Sequence, residues 1–69
     1  MPLTFANRGE INQIKKITGR DEVRQHLSNL GFVEGAEVTI INEVAGSVIC
    51  NVKGARVALS KSMAGRILI

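Results

Sequence analysis

Between Ala36 and Ser60 apolar residues recur at every second position, the repeat of a strand with one buried face. From Ala36 to Val44 the inward set is Val38, Ile40 and Val44, with Asn42 among them, while Glu37, Thr39, Ile41 and Glu43 point the other way. A second strand, Val48 to Val52, turns Val48, Cys50 and Val52 inward. Matching the two sets pairs Val44 with Val48, Asn42 with Cys50 and Ile40 with Val52. This predicts a three-residue loop, Ala45-Gly46-Ser47, in which Gly46 takes a positive φ. A third strand, Ala55 to Ser60, follows the two-residue turn Lys53-Gly54 and opposes Val52 to Ala55, Cys50 to Val57 and Val48 to Leu59.

Upstream the period changes. Asn7-Arg8-Gly9 reads as a turn, and Glu10 to Ile17 carries Ile11, Ile14 and Ile17 three apart, a spacing that fits a helical stripe or a bulged strand. We read it as a strand. Residues 20 to 30 then place Val23, Leu27 and Leu30 on one face of a helix. Thr18 and Asp21 have the spacing of a capping box at its start, and Asp21 is the alternative N-cap. Gly31 follows Leu30 where a left-handed residue ends a helix, and Phe32 is placed to fold back on the last turn. After the third strand, Lys61 to Gly65 predicts a single helical turn and Arg66 to Ile69 a last short strand. Short strands, one inserted helix and a helical turn describe a small, partly open β-barrel forming a single domain over residues 1–69.

Composition narrows the chemistry. Val and Ile make up about half of the apolar residues, in keeping with strands. A single Cys forms no internal disulfide, and one His with one Cys supplies too few donors for a transition-metal site, so no cofactor or metal is expected. Cys50 alternates with Val48 and Val52 as a small core residue does, and His26 reads as a helix-surface residue. The serines have no evident His partner and there is no phosphate-loop motif, so neither a hydrolase nor a nucleotide-binding protein is indicated. No apolar run exceeds three residues, which excludes a membrane-spanning helix and leaves a soluble, cytoplasmic protein as the expectation. The net charge of +3 is scattered. Arg24, Lys53 and Arg56 are the candidates for a basic patch, but with two Phe and neither Trp nor Tyr there are few aromatics to stack bases or to line a groove for proline-rich peptides. Nucleic acid is therefore not expected as a partner.

The run Leu27-Ser28-Asn29-Leu30-Gly31-Phe32-Val33-Glu34-Gly35, followed by Val38, resembles the L-x-x-(L/M)-G-(L/I/M)-x-x-G-x-x-V signature of the FeoA family. Val52-Lys53-Gly54, Ala58-Leu59 and Ala64 with Ile67 are similar to the V-x-G, A-L and A-x-x-I segments that end such domains. The resemblance implies an SH3-like barrel with an inserted helix. It also implies a small cytoplasmic accessory protein of bacterial ferrous iron uptake, whose pore and GTPase belong to a separate membrane transporter of the FeoB type. The chain departs from the family pattern at the hairpin tip, where Val44-Ala45-Gly46-Ser47 replaces Ala-Pro-Leu-Gly, and at Ser60-Lys61, where many members carry Arg. No residue of catalytic role is carried over by the resemblance.

The strand register supplies a candidate site. Ile49 opposes Ala58 on the outward face and is diagonal to Ile41, with Glu43, Asn51 and Arg56 around them. Either the helix or the N-terminal strand covers these residues, or they form an aliphatic docking surface. Ile41, Ile49 and Ala58 are the expected anchors, Arg56 the rim, and Leu30 with Phe32 a second candidate at the helix end. The expected function is non-enzymatic contact with the GTPase-containing part of the transporter, and a homo-oligomer is admissible. The alternative is a regulatory module, similar to the SH3-like domains of metal-dependent repressors, acting in trans.

Overall fold

A computed structural model describes all residues, 1–69. Six strands and two helices follow a 3-10 turn at Leu3–Phe5: β1 (Ile11–Gln13), β2 (Lys16–Ile17), α1 (Asp21–Asn29), β3 (Glu37–Val44), β4 (Ser47–Val52), β5 (Ala55–Ser60), α2 (Lys61–Ala64) and β6 (Ile67–Leu68). The strands form an antiparallel sheet in the order β1-β3-β4-β5 and a separate pair β2-β6. The two are not joined strand to strand, so the barrel stays partly open.

The segment expected as one strand over Glu10 to Ile17 is two strands. A spacing of three cannot keep three isoleucines on one face of a continuous strand. The chain breaks after Gln13 and passes from one sheet to the other, which buries Ile14 and Ile17 and leaves Ile11 66% exposed. The first residues are tied into the fold: Leu3 is fully buried, and Ile69 donates its backbone N–H to the Met1 carbonyl at 2.7 Å.

α1 lies where the spacing placed it, with Leu27 buried and Val23 and Leu30 packed at the core margin. The capping box does not form, because Thr18 is taken by the β2-β6 pair: both its N–H and its hydroxyl donate to the Arg66 carbonyl, at 2.8 and 3.2 Å. Arg20 occupies the N-cap without a side-chain bond, and Asp21 opens the helix paired with Arg24. The C-terminus ends as expected. Gly31 adopts φ +105°, Phe32 N–H donates to the Leu27 carbonyl at 2.9 Å and Gly31 N–H to that of Ser28 at 3.0 Å, the double bond of a Schellman ending.

The β4-β5 register agrees residue for residue with the expectation: Val48 opposes Leu59, Cys50 opposes Val57 and Val52 opposes Ala55. The β3-β4 register differs. Val44 pairs with Ser47 rather than Val48, Ile40 with Cys50, and Val38 with Val52, with a bulge between Ile40 and Asn42. The loop is therefore two residues, Ala45 and Gly46, both left-handed (φ 39° and 85°). The expected register would have set the Asn42 amide against Cys50 inside the core, a costly burial without partners. The bulge moves Asn42 outward, where its side-chain oxygen accepts from the Glu43 N–H at 2.9 Å and from Arg8 at 3.2 Å. The core is a single cluster drawn from both sheets, α1 and α2, with Phe32 its largest member.

Candidate functional site

The outward face of the four-stranded sheet carries the candidate docking residues. Cross-strand pairing sets its rows: Ile11, Thr39, Asn51 and Arg56 in one, Asn42, Ile49 and Ala58 in the next, and Val44, Ser47 and Ser60 at the hairpin tip. Because Ile41 is the extra residue of the bulge, Ile41 and Asn42 together oppose Ile49. Ile41, Ile49 and Ala58 are thus neighbours, as the alternation implied, although by a bulge rather than by a diagonal. No residue of this face is buried: Ile41 is 37% exposed, Ile49 is half-buried and Ala58 is exposed. Neither the helix nor the N-terminal strand covers it.

The bulge changes what surrounds the three anchors. Val44, expected inward, joins the outward face at 50% exposure, and Glu43, expected at the rim, crosses to the other face and approaches Lys61 at 4.0 Å. Arg56 is at the rim, opposite Asn51. Beside it a shallow depression of about 340 Å³ is lined by Ile11, Thr39, Asn51 and Lys53, so the aliphatic surface continues into a concave, partly polar one. The sequence signal for Val44 and Ile11 was present but misleading, since both stand in phase with core residues until a bulge or a strand break shifts them.

The helix-end candidate does not hold together. Phe32 is 0% exposed and fills the centre of the core, folded there by the Schellman ending, so it offers a partner no surface. Leu30 packs half-buried against that core. Of the three basic residues, Arg24 is engaged by Asp21 on α1, while Lys53 and Arg56 lie at and just after the β4-β5 turn.

Cys50 lies fully buried in β4, and burial pushes its thiol from 9.0 up to about 11. Such a thiol is a poor nucleophile and a poor ligand near neutral pH. His26 is exposed in the last turn of α1, and no group of three or more His, Cys, Asp or Glu side chains is arranged to share a metal ion.

The family model for the FeoA domain matches residues 1–69. A protein of Methanocaldococcus jannaschii, provisionally named Fe(2+) transport protein A, is 32% identical over 68 residues, covering 99% of this chain and 83% of that one. A crystal structure of an iron uptake regulatory protein, FeoA, superposes with a TM-score of 0.89 at 29% identity, covering 97% of this chain and 91% of the other. Two further structures share the fold. FeoA of Stenotrophomonas maltophilia, solved with zinc and described as an SH3 domain protein, has a TM-score of 0.85 at 24% identity and covers 99% and 87%. A manganese-dependent transcriptional repressor has a TM-score of 0.88 at 18% identity and covers 97% of this chain but 34% of its own. The partly open barrel described above is thus a small SH3-like fold.

Proposed function

This chain belongs to the FeoA family, and from that membership we propose that it acts as a non-enzymatic, cytoplasmic accessory protein of ferrous iron uptake. In this reading it works by docking on the cytoplasmic, GTPase-containing part of an FeoB-type membrane transporter. The observation that carries the docking mode is the uncovered aliphatic surface of Ile41, Ile49 and Ala58, widened by Val44 and edged by Arg56. On a domain this small, side chains of that kind left in water cost solubility unless a partner covers them. The site has no polar cluster suited to bond-making chemistry, so the reading is one of contact: association changes the transporter's nucleotide cycle or its assembly.

The test is Ile49→Asp. Its side chain is outside the core, so the variant is expected to fold, to lose binding to the transporter's cytoplasmic part in a pull-down and to fail to support ferrous uptake. A folded variant that still bound and still supported uptake would remove this surface from consideration. A second reading, a regulatory module acting in trans, has the fold shared with the manganese-dependent repressor as its support. Salt-dependent retardation of DNA by this protein would favour it.

A further inference from the structure

The bulge at Ile41 and Asn42 also decides the charge of the outward sheet face. It sends Glu43, which simple alternation sets at the rim, to the other face and within 4.0 Å of Lys61. Among the outward residues that strand pairing arranges in rows, Glu37 is then the one acid. Three cations stand around the same rows. Arg8 donates to the Asn42 side chain at 3.2 Å, in the row of Ile49 and Ala58. Lys53 lines the depression with Ile11 and Thr39, and Arg56 lies opposite Asn51. All three are exposed, and the two salt bridges of the molecule, Arg24 with Asp21 and Lys61 with Glu43, use none of them.

We infer that the segment this face receives is acidic as well as aliphatic: a partner helix or strand whose Leu, Ile or Val side chains cover Ile41, Ile49 and Ala58 while flanking Asp or Glu meet Arg8, Lys53 and Arg56. The inference rests on the docking reading above and adds the partner's charge to it. Charge complementarity selects the occupant. A second copy would bring two sets of uncompensated cations together, which is repulsive. Duplex nucleic acid matches the cations through its phosphates but has nothing to cover the aliphatic centre, and no aromatic side chain stands in these rows to stack a base. A neutral apolar segment covers the centre and leaves three cations partly desolvated at its margin without partners. Acidic flanks pair them. Charges at a rim act mainly on the rate of encounter, and at physiological salt they are felt over about 8 Å. The molecule measures 28 × 24 × 22 Å, so the steering belongs to this face and not to the net charge of the chain.

The experiment follows association and dissociation with the full-length transporter in neutral detergent, by surface plasmon resonance between about 50 and about 300 mM salt. The parent is expected to associate about tenfold more slowly at the high-salt end. Arg56→Glu and Lys53→Glu, both at exposed positions and checked by thermal melts, are expected to slow association roughly fivefold at low salt and to flatten its salt dependence, with dissociation little changed. Lys16→Glu makes the same change of net charge on the separate β2-β6 pair and is expected to stay within about twofold of the parent. Binding that Ile49→Asp abolishes but that neither salt nor the two charge reversals slow would overturn the inference and leave the docking reading standing. A parent that binds at no salt concentration would overturn both. Slowing by Lys16→Glu as large as by Arg56→Glu would assign the effect to net charge and overturn the inference. So would binding of duplex DNA that Arg56→Glu abolishes and Ile49→Asp does not, because the cations would then serve nucleic acid.

Discussion

Cys50 illustrates how much a single residue's role depends on what surrounds it. It carries the one thiol of the chain, yet its position between Val48 and Val52 on the inward face of β4 makes it a core side chain. The burial that removes its reactivity also links it to stability. The thiol titrates near 9.0 when exposed and near 11 when folded, so between these values the unfolded chain has released a proton that the folded chain retains. The unfolded state then binds fewer protons, and stability falls as pH rises through that window, by up to about 3 kcal/mol from this group. Urea titrations below and above pH 9 should show the loss, and Cys50→Ala, though less stable throughout, should show a shallower one. An equally steep alkaline slope in the variant would assign it to other groups.

At the scale of elements, the β3-β4 hairpin contains the most informative departure from simple alternation. Its bulge and its tight turn act together: the extra residue at Ile41 brings Asn42 out to its hydrogen bonds, and the turn then closes over Ala45 and Gly46. Ala45 holds a left-handed conformation that an L residue with a Cβ adopts at a cost of about 1 kcal/mol. Asn tolerates that region and favours this turn type, so Ala45→Asn is expected to stabilise the domain by about 0.5–1 kcal/mol, seen as a melting temperature about 4 °C higher. A three-residue loop, with only Gly46 left-handed, would gain nothing from that substitution. The alternation of residues 36–60 thus shows that strands exist and which face of β4 and β5 is apolar, but it cannot reveal a bulge. A bulge is a choice between two registers, made by the cost of burying one amide.

For the whole molecule, the core draws on every part of the chain, including residues with no legible pattern around them. Leu3 precedes the first recognisable element, yet it is 0% exposed and shares the core with Phe32, Ala64 and Ile67. Truncating a fully buried Leu costs roughly 2–5 kcal/mol, a large share of what a domain of this size has. Leu3→Ala should therefore leave the protein largely unfolded near physiological temperature, measured by circular dichroism. A variant that melts close to the parent would mean that the first residues are not integral to the core. The candidate site is a property of the same whole: Ile41, Ile49 and Ala58 come from three strands, and Ile11 reaches their face from a fourth.

The sequence by itself determined the mainly β class, the single long helix with its Gly31-Phe32 ending, the β4-β5 register and the family, because each rests on residues close together in the chain. Spacing, turn glycines and alternation are local signals, and local geometry answers to them. Tertiary structure alone decided that Glu10 to Ile17 splits between two sheets, that Thr18 bonds across to Arg66 rather than capping α1, that Phe32 lies inside while Val44 lies outside, and that β5 keeps a free edge. Those outcomes are competitions among distant partners for the same hydrogen bonds and the same buried volume, and they are settled only when the whole chain has packed.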